Sequence, residues 1–158
     1  MSPNRAEGID ALNAAIAALA ADARRQLSVF LPLPDSALWS SADLIDTLRS
    51  FVTARRQREV RLLLVDTGDL ARQHGALIAL AQRLPSLIQL RQADADFALP
   101  AAQAFVVNDQ AQLLLFDTGE RPAATFNDAS ERARPLAERF NDAWERARPM
   151  SELRALGI

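Results

Sequence analysis

Residues 27–65 read LSVFLPLPDSALWSSADLIDTLRSFVTARRQREVRLLLV, in which two apolar segments flank an amphipathic one. Leu27 to Leu31 (LSVFL) and Val60 to Val65 (VRLLLV) are short apolar runs typical of buried strands. Between them, Ser41 is a suitable N-cap for a helix that continues to about Arg56. One stripe of this helix is apolar: Leu44, Ile45, Leu48, Phe51 and Val52. This order predicts two parallel strands joined by a right-handed crossover.

The same alternation of helix and strand extends in both directions. A first helix is predicted from about Arg5 to Arg25, because apolar residues recur there at steps of three and four in an Ala-rich background. A third helix begins near Asp69 and is stopped by Pro85, and a third strand follows at Leu87 to Leu90. Three helix-strand pairs predict a parallel sheet with helices on both faces.

The second half of the chain has a different pattern. Phe105 to Asn108 (FVVN), Gln112 to Phe116 (QLLLF) and Ala123 to Phe126 (AATF) are three short strands separated by brief turns. Connections this short cannot cross over a sheet, so these strands must form an antiparallel meander. We therefore predict an α/β fold with one mixed sheet of about six to seven strands, parallel in its first half and antiparallel in its second.

A final helix is predicted from about Ser130 to Arg148, with Leu136, Phe140 and Trp144 on one face. Trp144, like Trp39, is interpreted as a packing residue rather than a ligand platform. At 158 residues the chain is expected to form a single domain, 1–158, with a C-terminal tail over 149–158.

Composition excludes several chemistries. All 18 basic residues are Arg, there is no Cys or Tyr, and His74 is the only histidine. Without Lys there is no Schiff base or P-loop lysine, and without Cys there is no thiol nucleophile or zinc-thiolate site. We expect neither a cofactor nor a metal. The net charge of -2 gives no basic footprint over the whole surface, so nucleic acid is not the expected partner.

The Ala-rich segment Ala11 to Ala21 could pass for the apolar part of a secretion signal. The residues before it combine Arg5 with Glu7 and Asp10, whereas a signal peptide begins with net positive charge. No run of about 18 apolar residues exists that could span a membrane. We therefore predict a cytoplasmic protein with no membrane partner.

Two Asp-Thr-Gly triplets follow apolar strands, at Asp66 to Gly68 and at Asp117 to Gly119. Aspartic proteases use two such aspartates that share one proton. Those enzymes consist almost wholly of strands, whereas helices follow both triplets here. We interpret the triplets as turns that end strands.

His74 and a cluster of arginines can each be interpreted in two ways, as structural residues or as functional ones. His74 lies in the predicted third helix with no second ligand at metal-binding spacing, so packing is favoured over proton transfer. Arg55, Arg56, Arg58 and Arg61 cluster near the end of the second helix, where they would complement the negative end of the helix dipole. Phosphate binding by their forked donors is the alternative.

The order of elements and the end of the chain resemble one half of a phospholipase D-like protein. In that superfamily a strand carries His-x-Lys followed by Asp, and the final helix carries Phe-x-x-x-Trp. The matching segments here are Ala102 to Asp109 (AQAFVVND) and the pair Phe140 and Trp144. The resemblance extends from about Gly8 to Arg148.

The resemblance implies that the reactive residues have been replaced. Ala102 stands where the nucleophilic histidine would be and Ala104 where the phosphate-binding lysine would be, so only Asp109 remains. Phe116 and Asp117 occupy roughly the positions of the family's Gly-Ser pair. An alanine can neither attack phosphorus nor hold an oxyanion. The resemblance therefore implies a degenerate, non-catalytic domain that acts as a binding or accessory module.

The resemblance also implies partners. Active members with a single half pair across the face that holds the motif, so a homodimer through that face is expected. Related degenerate domains also occur beside acetyltransferase domains, which makes such a domain, or another protein, a possible partner.

Two alternatives to the accessory module stay open. One is a phosphodiester hydrolase with relocated catalytic residues at the strand ends, where open sheets bind ligands. Its candidate residues are Asp66, Asp117, Asp109, Arg121 and His74. The other is a nucleic-acid binder that uses the arginine cluster. The candidate ligand-binding residues are Arg121, Arg55, Arg56 and Arg58.

Overall fold

Eight strands form one mixed sheet in the computed structural model, which describes residues 4–32, 36–65, 70–93, 103–117, 122–128 and 130–150. The strands are β1 (Arg5–Glu7), β2 (Gln26–Leu31), β3 (Glu59–Leu64), β4 (Ile88–Gln92), β5 (Phe105–Asn108), β6 (Leu113–Phe116), β7 (Ala123–Asn127) and β8 (Arg148–Pro149). The helices are α1 (Ile9–Asp22), α2 (Ser36–Trp39), α3 (Ala42–Ala54), α4 (Leu70–Gln73), α5 (Gly75–Arg83) and α6 (Ser130–Arg146).

The strand order across the sheet is β1-β7-β6-β5-β2-β3-β4-β8. β2, β3 and β4 are parallel, whereas β5, β6 and β7 form an antiparallel meander that joins the sheet beside β2. This confirms the predicted α/β fold with a parallel first half and an antiparallel second half. The two short edge strands β1 and β8 were not predicted.

Alternation along the strands divides the core into two apolar layers. On one face Val29, Leu62 and Leu90 pack with residues of α1, α3 and α5. On the other face Phe30 and Leu63 pack under α6. The side chains that α6 contributes are Ala133, Phe140, Ala143, Trp144 and Ala147. The sheet is thus covered on both faces, as predicted.

The N-cap residue and the apolar stripe that the sequence indicated explain where helix α3 begins and which of its faces is buried. The Ser41 Oγ accepts a hydrogen bond from the backbone N–H of Leu44 at 3.3 Å, which satisfies one of the free donors at the start of α3. Leu44, Leu48, Phe51 and Val52 of the predicted stripe are buried. The predicted N-cap and apolar face of this helix are confirmed.

The predicted start of the first helix at Arg5 is wrong. Arg5–Glu7 pairs with β7 as an edge strand, and Gly8 then turns the chain with φ of 88°, a conformation that glycine adopts without a steric penalty. The backbone N–H of Gly8 donates to the carbonyl of Pro122 at 2.8 Å. Pairing with a distant strand therefore overrides the helical pattern over these residues.

The predicted continuous third helix is two helices that are separated at His74. This residue has φ of −129° and ψ of 41°, outside the helical region. The Ser40 hydroxyl donates to the carbonyl of Gln73 at 2.7 Å and also lies 3.3 Å from the His74 Nδ1. A contact from the segment after α2 thus stabilises the break.

The end of the chain also differs from the prediction. The last helix stops at Arg146, and Arg148–Pro149 forms β8 beside β4 instead of continuing the helix or starting a tail. The backbone N–H of Met150 donates to the carbonyl of Leu90, which extends this pairing. Residues 151–158 of the predicted tail lie outside the described residues.

Candidate functional site

The two described positions of the resembled motif lie at opposite edges of the sheet. β5 is antiparallel to β2, with Phe105 opposite Phe30 and Asn108 opposite Leu27. Ala104 precedes β5, so it lies at the edge where the parallel strands end. Asp109 follows β5 and lies at the edge where they begin. We call these the carboxyl edge and the amino edge.

Asp109 binds the protein's own backbone. Its carboxylate accepts hydrogen bonds from the N–H groups of Arg24 at 2.9 Å and Arg25 at 2.8 Å. The neighbouring Asn108 is buried, and its side chain joins the Leu19 carbonyl and the N–H groups of the turn after β5. These contacts fix the turn between α1 and β2 against the turn between β5 and β6.

At the carboxyl edge lie two of the residues that the sequence analysis singled out, Ala104 and Asp117. The Ala104 carbonyl accepts from the N–H of Phe116 at 3.0 Å, which places Asp117 beside it. Asp117 is paired with Arg5, whose Nη2 lies 2.5 Å from its Oδ2. The hydrogen bond with Asp117, and a second with Glu7, raise the pKa of Arg5.

Three of the predicted candidates, Ala102, Asp66 and Arg121, fall outside the described residues. His74 is buried where α4 meets α5 and lies beside the Ser40 hydroxyl. Its side chain is packed inside the fold. In the described ranges, no group of three or more His, Cys, Asp or Glu residues could hold a metal ion.

The amino edge carries a concentration of positive charge. Because β2 and β3 are parallel, the turn before each strand lies at this edge. The two turns surround a cavity of about 410 Å³. Five arginines line it, and we call them the arginine edge: Arg24, Arg25, Arg55, Arg56 and Arg58. The sequence placed Arg55, Arg56 and Arg58 together but did not indicate that Arg24 and Arg25 join them.

Arg58 differs from the other members of the arginine edge. Its guanidinium donates to the carbonyls of Phe51, Arg24 and Ala23 at 3.2, 3.0 and 3.4 Å, and it lies 4.6 Å from the centre of the Phe51 ring. It therefore joins the carboxyl-terminal turn of α3, through Phe51, to the turn before β2, through Ala23 and Arg24. The four other arginines are exposed, and their side chains have no hydrogen bond or ion pair with the described part of the chain.

Arg61 is separate from the arginine edge, although the sequence grouped it with Arg58. It lies on β3 on the face covered by α6 and is only 8% exposed. Burial lowers the pKa of this guanidinium. Its charged group lies 5.0 Å from the centre of the Phe140 ring and 5.6 Å from that of Trp144. The alternation of Arg61 with Leu62 and Leu63 was the sequence signal that could have placed it on this face.

Within the described residues, no helix is both long enough and apolar enough to cross a membrane.

The fold is similar to those of several solved structures. Nuc from Salmonella typhimurium, a phospholipase D family member, matches with a TM-score of 0.64 and 14% identity, over 92% of this chain and 95% of Nuc. NucT from Helicobacter pylori matches with a TM-score of 0.64 and 12% identity, over 89% of this chain and 91% of NucT. These likenesses define the fold class as phospholipase D-like.

A third similar structure is TrmBL2, an archaeal chromatin protein described as having a novel mode of DNA binding. It matches with a TM-score of 0.61 and 15% identity over 92% of this chain, which spans 52% of TrmBL2. The sequence itself belongs to the family of the domain of unknown function DUF7931, whose model matches residues 8–156. No curated protein matches the sequence.

Proposed function

We propose that this chain is a non-catalytic phospholipase D-like module that acts by binding. The observation that carries the proposal is Ala104, a methyl side chain at the carboxyl edge where the resemblance places a phosphate-binding lysine. Ala102 stands in the same way for the nucleophilic histidine. A methyl group supplies neither a nucleophile nor a positive charge, so neither position can support phosphoryl transfer. Asp109, the remaining motif residue, is engaged with two backbone N–H groups.

The test is a phosphodiesterase assay with bis(p-nitrophenyl) phosphate and with short DNA. We expect the wild-type chain and Asp117→Asn to give the same rate as buffer alone. Hydrolysis by the wild type that is lost in Asp117→Asn would replace this proposal with the relocated hydrolase. An active protein whose rate is unchanged in Asp117→Asn would contradict both.

Self-association is part of this proposal. We place the contact at the carboxyl edge, where alanines would let two copies approach without burying unpaired polar groups. Light scattering at tens of micromolar should give the mass of a dimer. A monomer at that concentration would contradict self-association.

A second candidate function, nucleic-acid binding, is favoured by the arginine edge. Four exposed arginines with no partner among the described residues surround one cavity, whereas Asp22 is the only acidic residue in its lining. Arg side chains bind phosphate with forked donors. The similar TrmBL2 is itself described as DNA-binding. The net charge of -2 restricts such binding to this local patch.

Fluorescence anisotropy with a labelled DNA duplex and a labelled single-stranded RNA tests this function. Affinity should fall with salt, and Arg55→Ala/Arg56→Ala should reduce the slope of log affinity against log salt by about 2. The control, Arg132→Ala/Arg139→Ala, removes two exposed arginines from α6 and should leave the slope less affected. Binding that is absent at low salt, or equally weakened in both double variants, would exclude the arginine edge.

A further inference from the structure

Arg61 holds a buried positive charge that makes no direct contact with a described carboxylate. Its Nη2 donates to the Oε1 of Gln26 at 3.0 Å, the Oγ of Ser28 at 2.7 Å and the Oδ1 of Asn141 at 2.7 Å. All three acceptors are neutral. The Arg61 Nε is buried and has no hydrogen-bond partner. Within the described ranges Arg61 forms no ion pair.

The surroundings compensate this charge only in part. The faces of Phe140 and Trp144 attract a cation, but a ring is a weaker partner than a carboxylate. Burial lowers the pKa of Arg61 and outweighs the charges of Glu59 and Glu145, which favour its charged form from a distance and raise that pKa. Arg91 lies over the same Trp144 ring, 4.4 Å from its centre, and its charge opposes that of Arg61. A buried charge is ordinarily in direct contact with an opposite charge, and Arg61 has no such contact among the described residues, so a bound anion would complete the site.

A cavity opens beside Arg61, between the sheet and α6. Its volume is about 450 Å³, within the range of sites that bind small molecules. Its polar lining includes Ser28, Gln26, Gln110 and Asn141, and Arg134 of α6 supplies a second positive charge. Asp109 also lines the cavity, but its two carboxylate oxygens already accept from the backbone at Arg24 and Arg25.

We propose that this cavity binds a small phosphate monoester of about the size of a mononucleotide, with its phosphate between Arg61 and Arg134. Two guanidinium groups match the double negative charge of such a phosphate. The side-chain amides of Gln26, Gln110 and Asn141 can bind the polar remainder of the ligand. This site goes beyond the proposed function: it lies under α6 and shares no lining residue with the cavity of the arginine edge.

The test measures binding of adenosine 5′-monophosphate, inorganic phosphate and citrate by calorimetry and by the shift in Tm of the full chain. Arg134→Ala is the decisive variant, because Arg134 is exposed and its loss leaves the core intact. We expect it to weaken binding of the two phosphates by about tenfold or more, the usual loss for a charge-assisted hydrogen bond. The matched control is Arg132→Ala, an exposed arginine two residues away that does not line the cavity.

Arg61→Met gives a second readout. A ligand-binding arginine without an acidic partner should be costly to the empty protein, so this variant should keep or raise Tm without ligand and lose the shift with phosphate. A merely structural arginine would instead lower Tm when removed. If Arg61→Met does not fold, Arg134→Ala still decides the proposal.

Four outcomes would overturn the site. They are no binding of either phosphate at millimolar concentration, equal binding by Arg134→Ala and Arg132→Ala, stronger binding of citrate than of the phosphates, and loss of phosphate binding only in Arg55→Ala/Arg56→Ala. The last result would move the ligand to the arginine edge. Retained phosphate binding in that double variant, together with no nucleic-acid binding, would instead separate the two proposals.

Discussion

The two edges of the sheet differ in how their charged groups are used. At the carboxyl edge the carboxylates of Asp117 and Glu7 are both paired with Arg5, and the position beside Asp117 is the methyl group of Ala104. At the amino edge, four exposed arginines have no ion-pair partner among the described residues, and the same is true of Arg61, which is buried on the sheet face under α6.

This contrast argues that a fold and its site can change independently. The phospholipase D-like resemblance directs attention to the carboxyl edge, because the motif strand begins there. The features on which the two binding proposals rest lie elsewhere: the arginine edge at the amino edge, and Arg61 with its cavity on the sheet face under α6. The same substitution, Asp to Asn, can be made at both edges, at Asp109 and at Asp117. Comparing the stabilities of the two variants therefore tests how the two edges differ.

Asp109→Asn should have the largest effect of the substitutions that compare the edges. It replaces one of two oxygens that accept backbone N–H groups by an amide nitrogen, which cannot accept. We expect the free energy of unfolding to fall by about 1 kcal/mol, as for the loss of a helix cap. Urea denaturation monitored by circular dichroism measures this change. A stability equal to that of the wild type would remove the structural role assigned to Asp109.

The sequence predicted those parts of the fold that depend on local patterns. The apolar runs of β2 and β3, the cap at Ser41 and the short turn between β5 and β6 each depend on a few neighbouring residues, and all were found. The break at His74 is stabilised by Ser40, more than thirty positions away along the chain, and no local pattern reveals that contact. β1 was missed for the same reason, since it depends on β7.

The candidate sites were predicted less well than the fold. Because Arg58 and Arg61 are close in sequence, the sequence analysis grouped them. In the structure Arg58 lies in the turn before β3, whereas Arg61 lies on the strand itself and faces α6. Conversely, Arg24 and Arg55 are far apart in sequence and were not grouped, although the parallel pairing of β2 with β3 brings their turns together. Strand alternation and strand pairing both follow from the sequence, but they can be used to place these arginines only when the pairing and register of the strands are known.

Gln57→Gly should have a smaller effect, of opposite sign, in the turn that carries the arginine edge. Gln57 has φ of 63°, which costs a residue with a side chain about 1 kcal/mol and costs glycine nothing. The greater freedom of glycine in the unfolded chain offsets part of this gain, so we expect a net stabilisation of about 0.5 kcal/mol. Thr53→Gly, within helix α3, is the control and should destabilise. A loss of stability in Gln57→Gly would show that the turn needs the side chain.

Asp117→Asn should have the smallest effect on stability. It removes the charge that pairs with Arg5, but both partners are partly solvent-exposed and lie on an edge of the molecule where water and salt screen the pair. We expect a urea midpoint close to that of the wild type, and a difference that becomes smaller still at high salt. Because Asp109→Asn makes the same chemical change, its larger loss serves as the control. If Asp117→Asn were instead the more damaging substitution, the carboxyl edge would hold the more strongly structured contact, and the contrast between the two edges would be reversed.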